Sequence, residues 1–73
     1  MNMNKLEKLR LKLTNRYAVY FAKQGKHVYI GNHQNEGLRL QVFDTMQQAM
    51  DCWKADEQLP THKYGSVASP NIT

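Results

Sequence analysis

The chain has 73 residues, a net charge of +4 and a single cysteine. A chain of this size supports one small core, stable by about 3–5 kcal/mol, with no room for a second domain or a deep enclosed pocket, which weighs against an enzyme. No apolar run approaches the roughly 20 residues that span a bilayer, and a lone Cys52 excludes an internal disulfide, so a reducing, cytoplasmic setting is expected.

The charge is unevenly spread. Residues 1–43 hold eight lysines and arginines against Glu7 and Glu36, a balance of +6, whereas residues 44–73 hold Lys54 and Lys63 against Asp44, Asp51, Asp56 and Glu57, a balance of −2. A positive half of this kind suits a polyanion.

Residues 1–15 read as a basic arm. Met1-Asn2-Met3-Asn4-Lys5 leads into alternating charged residues and leucines, which is not the pattern of a secretory signal. Leu6, Leu9 and Leu13 fall at helical spacing, while Leu9, Leu11 and Leu13 alternate with Arg10 and Lys12 at strand spacing. Either conformation gives a leucine-lined face, and Lys5, Lys8, Arg10 and Lys12 are placed to neutralise phosphates.

Residues 16–23, Arg-Tyr-Ala-Val-Tyr-Phe-Ala-Lys, are rich in aromatic and β-branched types and read as a first strand. Gln24-Gly25 supplies a tight hairpin turn, and residues 26–30 form a second strand. Residues 31–37 (GNHQNEG) are a polar loop, with Gly31 and Gly37 as turn residues like Gly25. Residues 38–43 form a third strand, and connections this short make the three an antiparallel meander.

Asp44-Thr45 opens a helix, with Gln47 and Gln48 at capping-box distance. Met46, Ala49, Met50 and Trp53 make one apolar stripe, and the helix ends near Gln58, before Pro60. Residues 60–73 have no period and read as an irregular tail. The expected class is α+β: a three-stranded antiparallel sheet packed on one helix over residues 16–59, between a basic N-terminal arm and an irregular tail.

Alternation sorts the strand residues into two faces. Tyr17, Val19, Phe21, Val28, Ile30, Leu38, Leu40 and Val42 form the apolar face, which is expected to take the helix. The other face carries Arg16, Ala18, Tyr20, Ala22, His27, Tyr29, Arg39 and Gln41, and is expected to stay open. Arginine clamps phosphate or reads guanine, glutamine pairs adenine, tyrosine stacks on bases, and a sheet can enter a major groove. The same residue types also suit a protein interface. Arg16, Tyr20, Lys23, Lys26, His27, Tyr29, Arg39 and Gln41 are the candidate nucleic-acid-binding residues.

No other constellation points to chemistry. His27, His33, His62 and Cys52 match no zinc spacing, so neither metal nor cofactor is expected. Cys52 flanks the apolar stripe and reads as a structural thiol. Asp51, Asp56 and Glu57 read as solvated carboxylates on the wet side of the helix.

Three strands followed by Phe43-Asp44-Thr45, a helix with Ala49 and Trp53, and Gly65, Ala68 and Asn71 at intervals of three resemble the DNA-binding domain of the apetala-two/ethylene-response-factor family and its phage relatives, in a degenerate form. The Gly25-Lys26 turn is similar to that family's glycine-lysine hairpin. The resemblance spans residues 16–71 and implies duplex DNA bound by the sheet in the major groove, with Arg39 where the family places a DNA-contacting aromatic. The sequence therefore predicts a small non-enzymatic DNA-binding protein. The alternative is a protein-interaction module or homodimer using the same face or the leucine-lined arm. Neither a membrane nor a small-molecule substrate is expected as a partner.

Overall fold

In a computed structural model of the chain, which describes residues 4–70, five elements follow in the order helix, strand, strand, helix, strand. Helix α1 (Lys5–Ala22) is opened by Asn4, whose side chain accepts a hydrogen bond from the Glu7 backbone N–H at 2.7 Å. This satisfies one of the donors that a helix start leaves unpaired. At its far end Lys26 N–H donates to Phe21 O and Gly25 N–H to Ala22 O. Gly25 sits at φ 85°. These two bonds around a left-handed residue are the Schellman closure of a helix.

Strands β1 (His27–His33) and β2 (Gly37–Phe43) form an antiparallel hairpin, with Ile30 opposite Leu40 and Tyr29 opposite Gln41. Helix α2 (Met46–Glu57) starts at Thr45, whose side chain and that of Gln48 form a reciprocal capping box. Strand β3 (His62–Ala68) then returns antiparallel to the free side of β1, giving the strand order β2-β1-β3.

The α+β class and the three-stranded antiparallel sheet are as the sequence indicates. The make-up of the sheet differs. Residues 16–22, expected to be a strand, are the second half of α1, and the expected arm is its first half. Leu11, Ala18, Phe21 and Ala22 recur at helical spacing, and the small Ala18 and Ala22, both buried, let the helix axis approach the sheet. Gly25 ends this helix instead of turning a hairpin. The expected tail supplies β3, which holds the third place in the sheet.

There are two packed helices, one on each face. Ala18, Leu11 and Phe21 of α1 pack on Val28, Ile30, Leu38, Leu40, Tyr64 and Ala68. This is the apolar face that alternation identified, covered by α1 and not by α2. Helix α2 lies on the opposite face, where Trp53 stacks against Tyr29 and Ala49 is fully buried. Gly65 of β3 lies under Trp53, since a Cβ there would meet the indole Nε1 at 2.7 Å.

Candidate functional site

The centre of the face expected to be open is covered by α2. Tyr29 is 2% exposed, and Gln41 accepts a hydrogen bond from the Cys52 thiol at 2.9 Å. Arg39 Nη2 is 3.4 Å from Glu36 and 3.9 Å from Asp56, so acidic neighbours already occupy it. His27 is half-buried on the same side. Lys26 is spent on Asp44 at 2.6 Å, a pairing that holds the Asp44 carboxyl below its usual range. Tyr29 is therefore sealed beneath the Trp53-bearing helix and His27 is partly covered, whereas Arg39 and Gln41 remain exposed at the β2 border of that face. Arg16, Tyr20 and Lys23 belong to α1 or its end, across the sheet from the other four.

The enclosed face carries a polar network. Asp56 Oδ2 accepts from the Tyr29 hydroxyl at 2.5 Å and lies 2.8 Å from His33 Nε2. His33 Nδ1 in turn faces the Thr61 hydroxyl at 3.4 Å. Burial pushes the Asp56 carboxyl upward, but the hydrogen bonds from Tyr29 and His33, with the charge of Arg39, outweigh it and leave the group below its ordinary value. Burial, then the bond to Asp56, pushes the Tyr29 phenol well up. The Cys52 thiol is also pushed up, by burial and by Asp56. Gly31 makes room for this cluster, since a Cβ there would meet Asp56 Oδ2 at 2.7 Å.

Asp56 is thus a buried anchor and not a solvated carboxylate, and His33 ends β1 instead of lying in a loop. A signal for Asp56 exists in the sequence: Ala49, Trp53 and Asp56 follow at steps of four and three, so Asp56 continues the stripe that faces the sheet. Among the described residues no group of three His, Cys, Asp or Glu side chains could hold a metal ion.

The exposed chemistry lies on α1. Lys5, Lys8, Lys12, Arg16 and Lys23 follow at steps of three, four, four and seven, and Lys23 continues the helical backbone at φ −64° and ψ −20°. That spacing puts them on one flank of the helix. All five are exposed, and none forms an ion pair with a described residue. The one acid of α1, Glu7, is on the inner side and faces Lys63 at 3.9 Å.

Beside the cations runs an apolar row. Leu6, Leu9, Leu13, Tyr17 and Tyr20 lie between 45% and 65% exposed. Tyr17 leads into a groove of about 420 Å³ between α1 and β2, lined by Thr14, Tyr17, Phe21, Leu38 and Leu40. Arg10, the remaining cation of α1, stands at the end of that groove with Glu36. The structure therefore brings Lys5, Lys8, Lys12, Arg16 and Lys23 into one row, and separates them from Arg10, Lys26 and the sheet residues.

Comparison with known protein families, with curated proteins and with solved structures finds no match to this chain. The order strand, strand, strand, helix that carries the resemblance to the apetala-two/ethylene-response-factor domain is not the order of this chain. Asn71, which completes the spacing in the tail, lies outside the described residues.

Proposed function

We propose that this chain is a small non-enzymatic protein that binds duplex DNA through the cationic row of α1, by contacts to phosphate. The observation that carries this reading is a row of five cations, four on one flank of an 18-residue helix and Lys23 at its C-cap, with no acid in the row and no ion-pair partner on a described residue. At 1.5 Å per residue the helix is roughly 27 Å long, enough to follow several phosphates of a duplex. Charge of one sign on so short a segment attracts a polyanion and steers its approach. Tyr29, the central residue of the tyrosine-arginine face, is covered, and the row itself offers contacts to phosphate, so affinity without strong sequence preference is expected.

Titration with mixed-sequence duplex DNA at two salt concentrations tests this. Five phosphate contacts correspond to a slope of log affinity on log salt of about −4.5. Affinity that does not change with salt, or no binding at low salt, rejects it. The apolar row favours a second, protein-directed use of the same helix, since a row of large apolar side chains on a helix surface marks a contact site.

A further inference from the structure

The apolar row and the groove beside it are not explained by phosphate binding. From them we infer that a second copy of this chain docks on this side, pairing β2 with β2 and packing α1 against α1. The inference is independent of the nucleic-acid reading.

Three observations lead to a second copy. First, β2 is an outer strand, with β1 on one side and no described strand on the other. A strand edge of this kind offers unpaired N–H and C=O groups and is a template for another strand. Under a two-fold axis perpendicular to the sheet, an antiparallel edge is its own partner, so β2 needs only another β2. That axis also sets the two α1 helices side by side on one face, and the two α2 helices on the other.

Second, the side chains bordering this edge are apolar and face the groove. Leu38 and Leu40 share the α1 side of β2, and Tyr17, Phe21 and Thr14 form the opposite wall. Tyr17 is 65% exposed and Leu13 next to it 45%. The five apolar side chains of the row leave an area on the order of 500 Å² uncovered, at the upper end for a soluble monomer. A standard interface takes about 800 Å² from each partner. The total surface of the described chain is 5238 Å². The row alone supplies more than half of that area, and the groove and the β2 edge add to it.

Third, the charges select against other occupants. Lys12, Arg16 and their neighbours Asn15 and Val19 border a separate hollow that includes no residue of β2. Arg16 also borders Leu13, Tyr17 and Tyr20, but no residue of β2 lines that hollow either, so the cationic row lies farther from the edge than the apolar row does. An acidic partner would find Arg10 above this edge and Arg39 on it, and Arg39 already faces Glu36 at 3.4 Å. An edge whose Arg39 and Glu36 balance each other, beside an apolar groove, suits an identical one.

The test is the solution mass of the full chain, measured by sedimentation equilibrium in the absence of nucleic acid over a wide concentration range. The expected mass is twice 8.5 kDa. Tyr17→Lys changes a side chain that is mostly in water, so the fold is retained, and the variant is expected to dissociate at least about tenfold more readily. Hydrogen exchange locates the contact: protection of the β2 amides should rise with concentration in the native chain and not in Tyr17→Lys. A monomer at millimolar concentration overturns the inference. So does a dimer whose mass is unaffected by Tyr17→Lys, or one in which β2 gains no protection. DNA binding by a chain that stays monomeric would leave the function above intact and remove this inference alone.

Discussion

The Tyr29 hydroxyl donates to Asp56 Oδ2 at 2.5 Å, joining the central strand to the last full turn of α2. This contact, with His33 on the same oxygen, decides which face α2 covers. An apolar stripe alone does not, because Met46, Ala49 and Trp53 would satisfy either face. A buried carboxylate finds its donors on only one of them.

Asp56→Ala should therefore cost about 2–4 kcal/mol, since it leaves two buried groups without their acceptor. Tyr29→Phe should cost less, about 1–2 kcal/mol, because the ring still stacks on Trp53. Urea denaturation of both variants and of the double variant measures the coupling. If the double variant loses the sum of the two single losses, the pair is not energetically linked.

Stability should fall at both ends of the pH scale. Asp56 is held below its ordinary value of 3.8, so the folded state binds this proton less readily than the unfolded chain. Its contribution is complete above that value and is lost as the pH drops through the lowered one. Tyr29 is raised from its ordinary value of 10.0, so its contribution is complete below that value and is lost at higher pH. In thermal melts across pH, Asp56→Asn should flatten the acid limb and Tyr29→Phe the alkaline limb. Unchanged limbs would assign the transitions to other groups.

Two glycines in the sheet are held by close approach. A Cβ at Gly65 would meet Trp53 Nε1 at 2.7 Å, and one at Gly31 would meet Asp56 Oδ2 at 2.7 Å and the Tyr29 hydroxyl at 2.8 Å. Each alanine substitution should cost about 1–3 kcal/mol through overpacking. Gly31→Ala should also lower the emission change that reports Trp53 burial, because it pushes α2 off the strand. A neutral Gly31→Ala would mean that α2 sits further from β1 than described.

Removing two cations from the α1 row should act on binding and not on folding. Lys12→Ala with Arg16→Ala leaves three contacts, so the salt slope should fall from about −4.5 to about −2.7. Stability should stay within about 0.5 kcal/mol, since both side chains are in water. Arg39→Ala, on the opposite face of the sheet from the α1 row, should leave DNA affinity unchanged. A larger loss from Arg39→Ala than from the α1 pair would restore the sheet as the binding surface.

Much of the fold is legible where local signals are strong. The Thr45 and Gln48 capping box marks the start of α2, and alternation assigns Val28, Ile30, Leu38 and Leu40 to one face. The rest turns on signals that two structures share. Residues 16–22 are rich in β-forming types, yet Ala18 and Ala22 fit a helix lying close on a sheet, and tertiary packing overrides propensity. Gly25 with positive φ serves a hairpin or a helix end equally well. Strand β3 is hard to see because His62, Gly65 and Ser66 are weak strand formers, and its place is set by the contact of Gly65 with Trp53. The site follows from the same ambiguity. Once residues 16–22 are helical, the chain has a second helix, and Tyr29 at the centre of the tyrosine-arginine face is covered by it.

Six of the seven residues of β1 are buried, and they look alternately toward one helix and the other. A mutational scan scored by folding should find almost no tolerated change along this stretch, whereas the outer rows of α1 should accept many. Drift among descendants of this chain would then be confined to the helix surface. Partner preference could diverge there while the interior stayed fixed.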